Sequence, residues 1–267
     1  MNLKTQVKDF WNEASCGEEL LLPSKDEYGF NQQRLKRYQL EPEILSFANF
    51  GKYNRKKVLE IGVGLGCEHQ MFAENGADLY GIDLTERSIE NTQKRFDIFG
   101  LTSNLSVGDA EHLAFEDNTF DLVFSWGVMH HSPDTQQCFE EAFRVLKSGG
   151  EAKIMVYHHH SITGYMLWIR YGLMKLKPFT SLHEIYENHL ESPGTKAFTV
   201  NKIREMLSDF SEITITTHLT HSDLLTSNAG QRHQGIILAM AKKLLPRFLI
   251  KTLFPSHGLF MLIHAKK

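Results

Sequence analysis

The chain has 267 residues, 42% of them apolar and 23% charged, and its 29 Lys plus Arg against 32 Asp plus Glu give a formal net charge of −3. A chain of that make-up can bury one large core, which argues against disordered, collagen-like and disulfide-stapled scaffolds, and its balanced charge gives no overall pull toward nucleic acid. The three cysteines, Cys16, Cys67 and Cys138, are scattered and form no CxxC, so a reduced, cytoplasmic setting is expected and a cysteine-built zinc site is not. The opening MNLKTQVKDFWNEAS lacks the apolar run of a secretion signal. No apolar stretch approaches the ~20 residues that a membrane span needs.

Residues 1–55 read as helical and are expected to form a flap ahead of the main unit, 56–267. Within that unit, short apolar runs at 57–61, 79–83, 104–107, 120–125 and 152–157 suit strands buried on both faces of a parallel sheet. Between the second and third runs, Thr85 can cap a helix whose Ile89, Phe96 and Phe99 share a stripe, with Gly100 ending it. Asp134 can cap another, with Phe139, Ala142, Phe143 and Leu146 on one face and Gly149-Gly150 as its stop. Alternating β and α units predict an open, doubly wound α/β sheet. A helix over 199–208 turns Ile203, Met206 and Leu207 inward, and strands are expected at 213–219 and 259–264. Two long insertions, 158–198 and 221–257, interrupt the pattern. Insertions at strand ends usually build substrate sites or lids.

The chemistry concentrates at the strand ends. Residues 58–66 read VLEIGVGLG: a strand carrying Glu60, then Gly62, Gly64 and Gly66 at every second position, opening a helix. Glycines there let the backbone pass close to a ligand, and the loop N–H groups with the helix N-terminus favour a polar or anionic group. The plainer reading is a tight strand-to-helix turn. Asp83 ends the second strand about twenty residues past the first glycine, the place that reaches ribose hydroxyls in doubly wound folds. It could also serve as a helix N-terminal charge. Asp109 ends the third strand in VGDA, where a carboxylate can accept from an adenine amino group and the Ala110 N–H can reach a ring nitrogen. Acidic residues on three successive strands are harder to assign to chance than any one of them.

On these residues the chain resembles the class I S-adenosylmethionine (SAM) dependent methyltransferases, in the broad small-molecule group that includes the quinone C-methylating enzymes. VLEIGVGLG is similar to the family's first motif, E/D-x-G-x-G-x-G, and GIDLT to its second. VGDAEHLAFEDNTFDLVFSWGVMHHSPD and RVLKSGGEAKIMV continue the likeness through about residue 157, with Ser148 where relatives usually carry proline. The resemblance implies a Rossmann-like seven-stranded sheet with an antiparallel last strand, and SAM as the cofactor. It places Glu60 by the amino acid end of SAM, with Gly62, Gly64 and Gly66 lining it. Asp83 with its neighbour Leu84 would hold the ribose, and Asp109 with Ala110 the adenine. Ser125 and Trp126, with Gly127, would lie beside the methionine moiety. A nicotinamide-dependent oxidoreductase of the same fold would show G-x-G-x-x-G. Here the third glycine comes one residue early, and Cys67 follows it.

Methyl transfer mainly needs a nucleophile placed at close range, with a base where the acceptor must lose a proton. Candidate bases follow strands four and five: His130 and His131, then His158 in the run His158–His160, beside Tyr157. The bland alternatives are a lining role for the pair and solvation or metal binding for the run. No metal is expected. Cys67 could carry an activated thiol, although small-residue packing is the simpler account. The insertions are aromatic and apolar at 165–171, 173–176, 236–240, 244–245, 248–250 and 253–254, interleaved with Lys242, Lys243, Arg247 and Lys251, and Pro246 should kink any helix there. They suit packing onto the sheet, a lid over an apolar acceptor, or a basic surface touching anionic lipid. The expected function is methyl transfer to a small, hydrophobic acceptor. The alternative is a SAM-binding sensor or partner subunit that transfers nothing. DNA amino-methylation is disfavoured, because Gly127-Val128-Met129-His130 stands where such enzymes carry Asn/Asp-Pro-Pro-aromatic.

Overall fold

A computed structural model describes residues 2–224 and 247–267. Its centre is a seven-stranded sheet in the order β3-β2-β1-β4-β5-β7-β6. The strands are β1 (Lys57–Ile61), β2 (Asp78–Asp83), β3 (Asn104–Val107), β4 (Phe120–Trp126), β5 (Leu146–Tyr157), β6 (Ser211–His218) and β7 (Phe260–Lys266). β1 to β5 pair in parallel, and β7 runs antiparallel to both β5 and β6. The expected α/β sheet with its reversed last strand is therefore present.

Strand periodicity splits the core into two layers. Leu59, Ile61, Val123, Ile154 and Ile263 face one side, against Phe139, Ala142 and Ile203. Val58, Leu122, Phe124, Met155 and Leu262 face the other, against Phe72, Phe96 and Ile44. This two-sided burial explains why the central strands read as unbroken apolar runs.

Helices α1 (Leu3–Glu13), α2 (Glu18–Leu21), α3 (Glu27–Leu40) and α4 (Glu43–Ala48) precede the sheet, and α5 (Cys67–Glu74) follows β1. In α6 (Glu86–Phe99) the Thr85 side chain caps the Ser88 N–H, and Gly100, at φ 62°, ends the helix. Asp134 accepts from the Gln137 N–H to start α7 (Thr135–Val145). That helix stops before Leu146 rather than at the glycine pair. Leu146 pairs with Phe120, so β5 begins six residues before 152, and the register shift between Phe120 and Leu122 absorbs the irregularity around Gly149-Gly150. α8 (Ile162–Tyr171) and α9 (Leu182–His189) fill the first insertion, and α10 (Val200–Met206) is capped by Thr199. In the second insertion, a helix spans Arg247–Leu253, while 236–240, Lys242, Lys243, 244–245 and Pro246 lie outside the described residues. Among the described residues no helix is long and apolar enough to cross a membrane.

Arg95 of α6 ties the N-terminal helices to the sheet. It is fully buried and donates to Gln70 Oε1, Gln33 Oε1, the Phe30 carbonyl and the Leu65 carbonyl, all at 2.7–3.0 Å. One side chain thus joins α3, α5 and the glycine loop.

Candidate active site

Parallel strands deliver their C-terminal tips to one edge of the sheet, where ligands of such folds collect. A cavity of about 380 Å³ runs along that edge. At one end it touches Asp83, the last residue of β2, and Asp109, just past β3; at the other, Tyr157 and Phe260, on β5 and β7. Trp11 of α1 and Arg37 of α3 also line it.

Its floor is the β1–α5 loop. Gly62 sits at φ 83°, and a Cβ there would lie 2.2 Å from Val128 Cγ2. Gly64, at φ 54°, lines the cavity and would meet nothing within 4 Å. The two glycines serve different ends: the first lets the protein pack on itself, and the second keeps a flat wall open to a ligand. The loop's N–H groups are less available than expected. Gly62 and Val63 donate to the Ile82 carbonyl, Gly66 to Val63, and Gly64 to Asp83 Oδ2 at 3.1 Å. The loop therefore offers room more than donors.

Glu60 borders the cavity and spends Oε2 on His69 Nδ1, at 2.8 Å. His69 Nε2 lies 2.7 Å from Ser103 Oγ, whose hydrogen goes to the Leu79 carbonyl, so Nε2 is the protonated nitrogen. Burial raises the Glu60 carboxyl well above its usual range and lowers His69 to about 3. Both directions favour a neutral Glu60 donating to a neutral His69.

Asp83 accepts from the Thr85 N–H and hydroxyl on Oδ1, and from Gly64 on Oδ2. Burial raises its carboxyl, and those donors pull the other way. Oδ1 already takes two donors, and a lone pair remains on Oδ2 for a further one. Asp109 accepts from the Glu111 N–H and from Lys4 Nζ, the latter at 2.6 Å, and Lys4 also contacts Glu111. Leu84 and Ala110 line the cavity beside them. Trp126 lines it too and donates Nε1–H to Glu41 Oε2 at 2.8 Å. Ser125 is fully buried and does not border the cavity.

The histidines separate. His131 lines the cavity. His130 does not; it is fully buried against the Tyr157 ring, at 4.0 Å between centroids, and neither ring nitrogen has a partner among the described residues. Burial, with His131 and Lys196 nearby, holds His130 far below the usual imidazole range. None of His158–His160 borders the cavity. His158 bridges to Phe198 and points Nδ1 at the Gly258 carbonyl, 3.2 Å away, and the His159 carbonyl accepts from Tyr186 Oη. That run holds backbone together. Burial pushes the Cys67 thiol up to about 12, which matches a packing role and not an activated one.

Several site residues carried no sequence signal. Lys4, Trp11 and Arg37 come from the N-terminal helices, Glu41 from the α3–α4 junction, and Glu191 from the first insertion. Such segments reach a site through tertiary packing, which no local spacing reveals.

The residues offer what an adenosyl ligand needs: an open glycine wall, a partly buried carboxylate with acceptor capacity at the end of β2, and a carboxylate about a third exposed one strand further. Comparison with known proteins agrees. Residues 59–154 match a family model described as a methyltransferase domain. The sarcosine/dimethylglycine N-methyltransferase of Halorhodospira halochloris is 31% identical over 170 residues, covering 61% of this chain and 54% of that one. The demethylmenaquinone methyltransferase of Tropheryma whipplei (strain Twist) is 32% identical over 158 residues, covering 57% and 64%. The chain thus spans between about half and two thirds of the length of these relatives. The solved PH0226 protein of Pyrococcus horikoshii OT3 shares the fold with a TM-score of 0.56 at 18% identity, over 95% of this chain and 99% of that one.

Proposed function

We propose that this chain, whose residues 59–154 match a methyltransferase domain, is a class I SAM-dependent enzyme that transfers a methyl group from SAM to a small acceptor with an apolar body. The observation that carries this reading is the single cavity joining Asp83 and Asp109 to an aromatic end at Trp126, Tyr157 and Phe260. SAM supplies an electrophilic methyl group on a sulfonium. Asp83 accepts from the ribose hydroxyls, Asp109 from the adenine amine, and Gly64 gives the ligand a wall without a Cβ. His131 is the base candidate that borders the same space.

The apolar character of the acceptor is supported by the rings at the far end of the cavity. Lipid contact is supported by the insertions. Leu176 and Phe179 are 90% and 100% exposed beside Lys175 and Lys177, and Phe248 is 71% exposed beside Arg247. The two insertions meet where the Ile162 N–H donates to the His257 carbonyl. Exposed large apolar groups interleaved with cations suit a cytoplasmic protein that rests on an anionic membrane surface. Sedimentation with liposomes should then show binding only where anionic lipid is present; no binding to either kind removes the membrane part.

Transfer itself is tested by incubating the protein with isotope-labelled SAM and small-molecule extracts, followed by mass spectrometry. The expected result is a labelled product with S-adenosylhomocysteine (SAH). Binding without turnover across the extracts would instead favour a SAM-binding sensor or partner subunit.

A further inference from the structure

Glu191 borders the aromatic end of the cavity. Its Oε2 accepts from Tyr157 Oη at 2.8 Å and stands 3.4 Å from His131 Nε2. Among the described residues no Lys or Arg nitrogen comes within 4.0 Å of it. Glu41, the neighbouring carboxylate, differs: Arg37 lies 3.1 Å from it.

His131 can present an acceptor to the cavity. Nδ1 is 3.1 Å from Thr195 Oγ1 and 2.9 Å from Ser192 Oγ. Thr195 gives its hydrogen to the Ser192 carbonyl at 2.7 Å, so toward His131 it only accepts, while the Ser192 hydroxyl can accept or donate. With the imidazole hydrogen on Nδ1, held by Thr195 and Ser192, Nε2 carries a lone pair beside the Glu191 carboxylate, and the two acceptors face one point of the cavity. A cation with N–H donors placed there bonds to both. The rings nearby suit a cation as well: Trp11 lies 5.3 Å from His131, and Phe260 stacks on Tyr157 at 6.1 Å.

We infer, on the methyltransferase reading above, that the acceptor is an amine whose protonated nitrogen sits between Glu191 Oε2 and His131 Nε2. An ammonium nitrogen has no lone pair and cannot be alkylated. One N–H bond breaks, its proton moves to His131 Nε2, and the electron pair stays on the nitrogen as the nucleophile. The resulting imidazolium is held by Glu191, so the net charge of the site does not change. A divalent metal fits less well. His130, His131 and Glu191 have ligand atoms within 4.8 Å of one another, but His130 does not border the cavity, and two donors fall short of the three protein ligands usual for a catalytic zinc.

Calorimetry on SAH-saturated protein tests this with phenethylamine against 2-phenylethanol, which share shape and differ in charge. The amine should bind at least about tenfold tighter, the scale of one charge-assisted contact. Glu191→Gln should shrink that preference to within about twofold while SAH affinity and melting temperature hold. His131→Asn should lower kcat with little change in amine affinity. Equal binding of amine and alcohol, a preference that survives Glu191→Gln, or amine binding abolished by EDTA overturns the inference while leaving methyl transfer standing. Failure to bind SAH overturns the underlying reading and this inference with it.

Discussion

Lys4 Nζ stands 2.6 Å from Asp109 Oδ2, so helix α1 is pinned across the tip of β3 by the carboxylate assigned to the adenine. The proposed nucleoside position and the N-terminal helix thus share one residue. Both partners are about a third exposed, so the pair contributes little to global stability, about 0–1 kcal/mol. Lys4→Met should leave the melting temperature nearly unchanged yet speed hydrogen exchange in α1. Unchanged exchange across residues 3–13 would show that α1 is held by other contacts.

Asp83 is the stronger test of the ligand assignment. Asp83→Ala should weaken SAM binding by about 1.5–3 kcal/mol, the scale of hydrogen bonds to a charged acceptor. Because Asp83 also holds Thr85 and Gly64, Thr85→Val serves as the control for loop damage. Calorimetry showing equal losses in both variants would assign Asp83 a purely structural role.

Much of this was legible in the sequence. The strand positions, the glycine loop and the acidic residues at the ends of β1, β2 and β3 follow from local patterns, because each strand and its ligand-side residue are adjacent in sequence. The cover of the cavity was not legible. Trp11 and Arg37 lie on N-terminal helices, and Glu41 just past α3, in a region whose polar and apolar residues give no hint of which face meets the sheet, and Glu191 follows α9 in an insertion. The His158–His160 run shows the opposite limit. Three histidines after β5 look like chemistry, but the register of β7 and the Phe198 bridge turn the segment into a backbone support.

Arg95 should prove costly to replace. Arg95→Met leaves four neutral acceptors without a donor in the interior, including the Leu65 carbonyl beneath the glycine loop. A loss of about 2–4 kcal/mol is expected in urea unfolding. A loss under about 1 kcal/mol would mean that water or rearrangement satisfies those groups.

Acid should loosen the N-terminal helices through Glu18. Burial alone would raise this carboxyl, but Arg87 and Lys25, with the Ser15 N–H, hold it down to about 2. Its folded value lies below its unfolded value near 4.5, so its contribution is complete above pH ~4.5 and disappears as the pH falls toward 2. Thermal unfolding followed from pH 6 to 2 should show a smaller slope in Glu18→Gln than in the parent protein. Identical slopes would place the acid sensitivity elsewhere.

The central claim is that a single adenosyl ligand lies along the sheet edge between Asp83 and Asp109. A crystal structure with SAH tests it directly. The account predicts the ribose hydroxyls on the Asp83 carboxylate, the adenine amine at Asp109 and the ligand backbone against Gly64. SAH lodged away from the β2 and β3 tips, or crystals that take up none at saturating concentration, would contradict it.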